Sequence, residues 1–180
     1  MKQLIDRLEQ EQTLPREDWI RLLEDFTSED TAYLCERARH VRQMHYQNRI
    51  FIRGLIEFTN YCKKDCFYCG IRRSNSNVHR YRLSKATILD CCRRGYELGF
   101  RTFVLQGGED GHFTDAVLTD IVHAIRTEFP NCAITLSIGE RSRDSYQQLF
   151  DAGANRFLLR HETFDSTHYA SLHPAGLTAA

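Results

Sequence analysis

The alternation of short apolar strands with helices after Arg49 is the feature that most constrains the fold. Four strands are predicted, over residues 50–60, 102–106, 133–138 and 156–160. Helices are predicted over about 84–98, 115–129 and 143–152. Short apolar strands that alternate with helices are typical of parallel βα units. A closed eight-stranded barrel takes about 250 residues, so these four units correspond to half of such a barrel.

The first 48 residues are predicted to be helical, because apolar residues recur there at helical spacing. The second predicted helix has an apolar stripe formed by Trp19, Leu22, Leu23 and Phe26. A third helix is expected to open at Ser28, and Cys35 within it is interpreted as a small buried residue. We therefore expect a helical segment over residues 1–48 and a βα core over residues 49–180.

Composition indicates a globular protein and argues against several classes of partner. The chain has 24 basic and 24 acidic residues, so it has no net charge that would favour nucleic acid or an anionic membrane. Only 3 prolines and 10 glycines argue against disorder. Its apolar runs are far shorter than the roughly 20 residues that cross a bilayer, and the N-terminus lacks the apolar core of a signal peptide. A cytosolic protein is expected.

Polar and reactive residues follow each predicted strand. Three cysteines follow the first strand, and the other three strands are followed by residues 106–110, 137–140 and 160–163. The carboxyl ends of parallel strands lie on one face, where loops build the active site. We therefore expect these four motifs to meet in one site.

The cysteines after the first strand indicate a metal centre. Cys62, Cys66 and Cys69 are three of the chain's seven cysteines and fall within eight positions. Thiolates are the preferred ligands of iron-sulfur clusters and zinc. Three thiolates would leave one iron of a four-iron cluster open for chemistry. The alternative is a zinc knuckle with His79 as the fourth ligand.

The Cx3Cx2C spacing, with an aromatic residue before the last cysteine, resembles the signature of radical S-adenosylmethionine (SAM) enzymes. The strings RGLIEFTNYCKKDCFYCGIRRSNSNVHRYRLS, FVLQGGED, TLSIGE and RFLLRHET are similar to the HydE maturase family of iron-iron hydrogenase, in the biotin synthase-like group. The resemblance implies the N-terminal half of a radical SAM (β/α)8 TIM-type barrel, preceded by a helical segment. That family is roughly twice as long, so the chain is expected to be truncated after this half.

The same resemblance implies cofactors and their ligands. Cys62, Cys66 and Cys69 would each bind one iron of a 4Fe-4S cluster, and the open iron would bind SAM. Residues expected to line the SAM site are Tyr68, Gln106, Gly107, Gly108, Ser137, Glu140, Arg160 and Glu162. Tyr68 would lie beside the adenine, and the glycine pair would let backbone approach the methionyl amine. Glu109 and Glu140 have an equal alternative as caps of the following helices.

The activity implied is cleavage of SAM to a 5'-deoxyadenosyl radical during maturation of the iron-iron hydrogenase H-cluster. Implied partners are a small organometallic or amino-acid-derived substrate, an electron donor such as ferredoxin or flavodoxin, and other hydrogenase maturases. One alternative is a catalytically incompetent fragment or a metal-binding module. Another is an enzyme that resembles biotin synthase or methylornithine synthase.

The other cysteines and the basic residues have simpler interpretations. Cys91, Cys92 and Cys132 are expected to pack in the core, and His161 is expected to be structural. A basic run follows the cysteines and comprises Arg72, Arg73, Arg80 and Arg82. This run is interpreted as a solvated face, with a docking site for an acidic electron donor as the alternative.

Overall fold

The computed structural model of the chain describes residues 1–176 and divides into two compact units. The first unit, Met1–Phe51, contains helices α1 (Lys2–Glu11), α2 (Arg16–Glu24) and α3 (Ser28–Tyr46). Its core is small and is centred on Ile5, Leu14 and Leu22. Within residues 1–176, none of the helices is both long and apolar enough to cross a membrane.

Two predictions about the first unit are wrong in detail. Leu23 is 77% exposed and Trp19 is 38% exposed, so α2 buries Leu22, and Phe26, which lies beyond the end of α2, is partly buried. Cys35 is exposed. A core of three short helices is too small to cover more than a narrow stripe on each of them. Helix α3 begins at Ser28, as predicted, and its N-cap is Thr27, whose hydroxyl accepts the Asp30 N–H in a capping box.

The second unit begins at Ile52 and contains a parallel four-stranded sheet of order β1-β2-β3-β4. The strands are β1 (Gly54–Thr59), β2 (Thr102–Gly107), β3 (Ala133–Ser137) and β4 (Arg156–Phe157). The helices are α4 (Lys85–Glu97), α5 (Asp115–Glu128), α6 (Arg143–Asp151) and α7 (Ser166–Leu172). The predicted alternation of strands and helices is therefore confirmed.

Two strands are shorter than the sequence predicts. Ile50, Phe51 and Ile52 are exposed and precede β1, although their composition favours a strand. At the other edge, β4 pairs with β3 through only two residues, Arg156 and Phe157. A strand needs β-branched and aromatic side chains, and it also needs a neighbouring strand in register. Composition alone reveals the side chains but not the neighbour.

In the second unit, capped helices pack on one face of the sheet. Ser84, Thr114 and Ser142 cap α4, α5 and α6, because each hydroxyl accepts an N–H from the first turn. The buried side chains on this face of the sheet are Ile56, Phe58, Phe103, Leu105, Ile134 and Leu136. Helix residues that complete this core are Ile88, Leu118, Ile121, Ile125 and Leu149. The helices cover this face, and the loops after the strands remain available for a site.

The cysteines outside the predicted metal motif in this unit lie in the core, as expected. Cys92 and Cys132 are buried, and Cys91 packs partly against the same core. Burial raises the pKa of the Cys92 thiol to about 12. The Cys92 thiol is therefore protonated at neutral pH, and the three cysteines serve packing.

Candidate cofactor site

Strand register brings polar residues into one row at the carboxyl end of the sheet. Glu57 on β1 is paired with Gln106 on β2, and Gln106 is paired with Ser137 on β3. The Gln106 Nε2 group donates to the Glu57 carboxylate at 3.1 Å. The structure therefore brings together two of the predicted SAM-site residues, Gln106 and Ser137. Sequence reasoning missed Glu57, although strict alternation along β1 places it opposite to Ile56 and Phe58.

Residues 60–80, here called the cysteine loop, leave the sheet after β1 and return beside it. Thr59 and Arg82 form an antiparallel bridge, and the Leu83 N–H donates to the Phe58 carbonyl at 2.7 Å. Between these ends the loop has turns but no regular element. The loop is therefore closed at its base, and all three cysteines of the motif lie within it.

The three thiols are close enough to influence one another. Each is partly buried. Burial raises the pKa of the Cys66 thiol, the hydrogen bond with Tyr68 opposes this, and the Cys62 and Cys69 thiols add to the rise. Within the described part of the chain, however, no three His, Cys, Asp or Glu side chains converge tightly enough to hold a metal ion. Rotation about the Cα–Cβ bonds would bring the three thiols together.

The alternative of a zinc knuckle finds no support in the position of His79. The His79 side chain is exposed, and its recorded contact is through the main-chain carbonyl, which accepts Asn60 Nδ2 at 2.7 Å. Because the donor set on the loop is three thiols, it suits an iron-sulfur cluster with one open iron.

The glycine pair at the end of β2 packs against the cysteine loop. A Cβ atom added to Gly108 would lie 2.2 Å from the Tyr61 carbonyl oxygen and 2.7 Å from Cys62 Cβ. A Cβ atom added to Gly107 would lie 2.7 Å from Thr59 Cγ2. The missing side chains therefore allow the first cysteine to sit directly on β2, a role that the sequence did not reveal.

Tyr68 lies at the centre of a second set of contacts. Its hydroxyl lies 3.5 Å from His173 Nε2, and its ring meets the His173 ring edge-on. Burial, followed by the neighbouring Cys66 thiol and the Glu162 carboxylate, raises the pKa of Tyr68. His173 is buried and was missed, because nothing in the sequence marks it as different from other histidines.

The C-terminal end of α7, together with His173, contacts the cysteine loop. The Phe67 N–H donates to the Leu172 carbonyl at 2.9 Å. His173 Nδ1 lies 2.9 Å from the Tyr169 carbonyl, so Nδ1 carries the proton and Nε2 can accept from Tyr68. The end of α7 and His173 therefore contact the cysteine loop through both backbone and side chains.

Glu109 and Glu140 do not cap helices, so the capping alternative is wrong for both; α5 and α6 are capped by Thr114 and Ser142. The Glu109 carboxylate lies 3.3 Å from Lys63 Nζ, and the main-chain carbonyl of Glu109 accepts the Lys63 N–H at 2.9 Å. Glu109 therefore links β2 to the cysteine loop. Glu140 is exposed and lines a cavity of about 100 Å³ that Lys63 and Glu109 also line.

The fourth motif follows the shortest strand of the sheet and has no regular secondary structure. Arg160 and Glu162 are exposed and lie beyond the short strand β4. The electrostatic influence of Glu162 on Tyr68 connects this segment with the cysteine loop. His161 packs its ring against Phe164, with 5.4 Å between ring centroids.

The interpretation of the basic run as a solvated face is wrong for Arg82 and Arg80. Arg82 forms two hydrogen bonds with the Asp110 carboxylate, at 2.7 and 2.8 Å, and lies 3.9 Å over the Tyr61 ring. Arg80 donates to main-chain carbonyls of the cysteine loop. Both guanidinium groups are thus bound by groups of the protein, although the Arg82 side chain remains 37% exposed.

Comparison with known proteins finds relatives of this chain in sequence and in structure. Residues 56–177 match the Radical SAM superfamily. The HydE subunit of [FeFe] hydrogenase maturase from Thermotoga maritima is 40% identical over 141 residues, which are 78% of this chain and 40% of that protein. The 3-methylornithine synthase of Methanosarcina acetivorans is 30% identical over 161 residues, or 88% of this chain and 45% of that protein. This chain therefore spans less than half the length of either relative.

Solved structures agree with the sequence comparison. Methylornithine synthase (PylB) superposes with a TM-score of 0.80 at 28% identity, over 97% of this chain and 52% of that one. The maturase HydG from Carboxydothermus hydrogenoformans superposes with a TM-score of 0.82 at 26% identity, over 97% of this chain and 41% of that one. The expected fold, βα units of a radical SAM barrel preceded by helices, is confirmed.

Proposed function

Since this chain belongs to the radical SAM superfamily, we propose that it is a HydE-type protein that cleaves SAM during maturation of the iron-iron hydrogenase H-cluster. Enzymes of this superfamily use a 4Fe-4S cluster and SAM. The observation that carries the proposal is the seating of three thiols on one closed loop against the glycine pair of β2. The 40% identity to HydE, against 30% to methylornithine synthase, favours the hydrogenase-related role.

In this proposal Cys62, Cys66 and Cys69 hold three irons of the cluster. When bound, the cluster supplies the electron that separates SAM into methionine and a 5'-deoxyadenosyl radical. Gly108 lies against Cys62, and in this proposal main-chain groups of Gly107 and Gly108 bind the methionyl end of SAM.

The remaining predicted residues orient the rest of SAM. Tyr68 offers an aromatic face for the adenine, and His173 holds that ring from the side. Arg160 suits the methionyl carboxylate, and Glu162 suits ribose hydroxyls or the amine. Gln106 and Ser137 line the inner end of the site from β2 and β3.

The partners in this proposal are a small substrate and an electron donor, which radical SAM enzymes require. A HydE-type protein would take an organometallic or amino-acid-derived substrate, receive its electron from a ferredoxin or flavodoxin, and act together with other hydrogenase maturases. The chain spans 40% of the HydE relative, so activity of these residues by themselves is part of what the proposal puts to the test.

The first experiment measures the cluster. We expect the chain, reconstituted anaerobically with iron and sulfide and then reduced, to give a four-iron electron paramagnetic resonance (EPR) signal that changes when SAM is added. Cys66→Ala should abolish the signal, whereas Cys35→Ala, which alters an exposed cysteine of the first unit, should leave it unchanged. One zinc per chain without sulfide would instead favour a metal-binding module.

The second experiment separates HydE from the methylornithine synthase alternative, which the 30% identity over 88% of the chain supports. Expression in a strain that lacks its HydE maturase should restore hydrogenase activity. Formation of methylornithine, without restored hydrogenase activity, would favour the second candidate.

A further inference from the structure

We propose that Arg80 is a positioning residue that sets the spacing of the three cluster ligands by tying the cysteine loop together from inside. Its Nη1 group donates to the carbonyls of Asn60 and Ile71, the latter at 2.9 Å. Its Nη2 group donates to the carbonyls of Arg72 and Asn75, at 2.7 and 3.2 Å. One side chain therefore joins backbone before the first cysteine to backbone after the last.

The chemistry of the guanidinium group matches this task. Each Nη nitrogen carries two hydrogens, so the four carbonyls use all four of them, and the planar group holds the acceptors in a fixed arrangement. A lysine ammonium has three donors on one atom and cannot reach acceptors that are spread along a plane. The arrangement therefore depends on arginine and not on positive charge alone.

The loop needs such a tie because it lacks regular secondary structure. Carbonyl groups away from water require a donor, and in this loop no strand or helix supplies one. At the base, Asn60 already pairs with the returning chain, since its Oδ1 atom accepts the Tyr81 N–H at 2.8 Å. Arg80 extends this closure into the loop.

A short chain of contacts leads from Arg80 to the last cysteine. Arg80 holds the Arg72 carbonyl at 2.7 Å. Arg72 in turn donates to the Cys69 carbonyl through both its N–H, at 3.2 Å, and its Nη1 group, at 3.1 Å. Loss of Arg80 would therefore free the backbone that orients Cys69 relative to Cys62.

The inference rests on the proposed function only where it concerns the cluster, so its first test uses the metal-free chain. The variant is Arg80→Lys, and the matched control is Arg73→Lys, which alters an exposed arginine of the same loop. Amide hydrogen exchange at Cys69 and Arg73, whose N–H groups donate to the Cys66 and Lys64 carbonyls, should become at least about tenfold faster in Arg80→Lys. Exchange in β2 and β3 should not change.

The second test is spectroscopic. After reconstitution, Arg80→Lys should give a broadened EPR signal of more than one species, because the ligands are no longer held in one arrangement, while Arg73→Lys should match the wild type. Unchanged loop exchange together with an unchanged signal would overturn the inference. A wild-type chain that forms no cluster, but still shows the exchange difference, would contradict the proposed function and leave the positioning role of Arg80 supported.

Chemical rescue covers the case in which Arg80→Lys loses the fold of the second unit. Guanidinium ion at millimolar concentration should restore slow exchange at Cys69 in Arg80→Gly, because it can occupy the same four-carbonyl site. Methylammonium serves as the control cation. Equal recovery with both cations, or recovery with neither, would contradict a specific role for the guanidinium group.

Discussion

At the scale of single residues, Gly108 shows how one missing side chain positions a loop. The space of its Cβ atom is taken by Tyr61 and Cys62, and backbone cannot yield as a flexible side chain can. The sequence reveals that a glycine pair follows a strand. Which group approaches the pair depends on the path of a loop more than 40 positions earlier in the chain.

Gly108→Ala should therefore displace the cysteine loop and lower the iron bound per chain after reconstitution. It should also destabilise the second unit by about 1–3 kcal/mol, because overpacking forces the backbone to shift. Gly111→Ala is the control, since an added Cβ at that glycine meets nothing within 4 Å. Urea unfolding and iron analysis check both effects, and equal behaviour of the two variants would contradict the packing role of Gly108.

Asp110 is the residue whose ionisation matters most for the base of the loop. Its side chain is 3% exposed and accepts hydrogen bonds from Arg82, Thr59 and the His112 N–H. Burial alone would raise the pKa of this carboxyl, but these hydrogen bonds together lower it below its usual range. The ionised form is therefore favoured in the folded state.

A carboxyl group with a lowered pKa in the folded state stabilises the protein above its unfolded pKa of about 3.9, and this stabilisation is lost as the pH falls through the folded pKa. Asp110→Asn should lower the free energy of unfolding at pH 7 by about 1–3 kcal/mol, and the difference from wild type should shrink below about pH 4. Asp120→Asn, at an exposed ion pair with Lys85, should cost only about 0–1 kcal/mol. Urea unfolding between pH 3 and pH 7 measures both variants, and a difference that does not change with pH would contradict the role of ionised Asp110.

At the scale of elements, β1 shows what composition can and cannot determine. Leu55 and Ile56 are adjacent apolar residues of one strand, yet Leu55 is 55% exposed and Ile56 is 7% exposed. Successive side chains on a strand point to opposite faces, so the two residues must differ, but a run such as Gly-Leu-Ile-Glu-Phe-Thr does not reveal which face is covered. Packing of the helices on the face of Ile56 and Phe58 decided it.

Ile56→Ala should therefore cost about 2–5 kcal/mol of the free energy of unfolding, whereas Leu55→Ala should cost about 0.5 kcal/mol or less, because an exposed leucine has little burial to lose. Both substitutions remove apolar atoms from the same strand, so strand propensity is a shared factor. Denaturant unfolding followed by circular dichroism measures the contrast. Similar losses for both variants would indicate that the face of Leu55 is also covered in solution.

At the scale of the whole molecule, the sequence by itself determined the order of strands and helices, the parallel sheet and the three-cysteine motif. These follow from periodicity, capping residues and spacing, which are local properties of the chain. The tertiary structure decided that Glu109 binds Lys63, that His173 meets Tyr68, that Arg80 binds the cysteine loop and that Arg82 binds Asp110. Each of these contacts depends on how separate loops meet at the carboxyl end of the sheet. Periodicity can be recognised within a single segment, whereas a contact between two distant segments cannot.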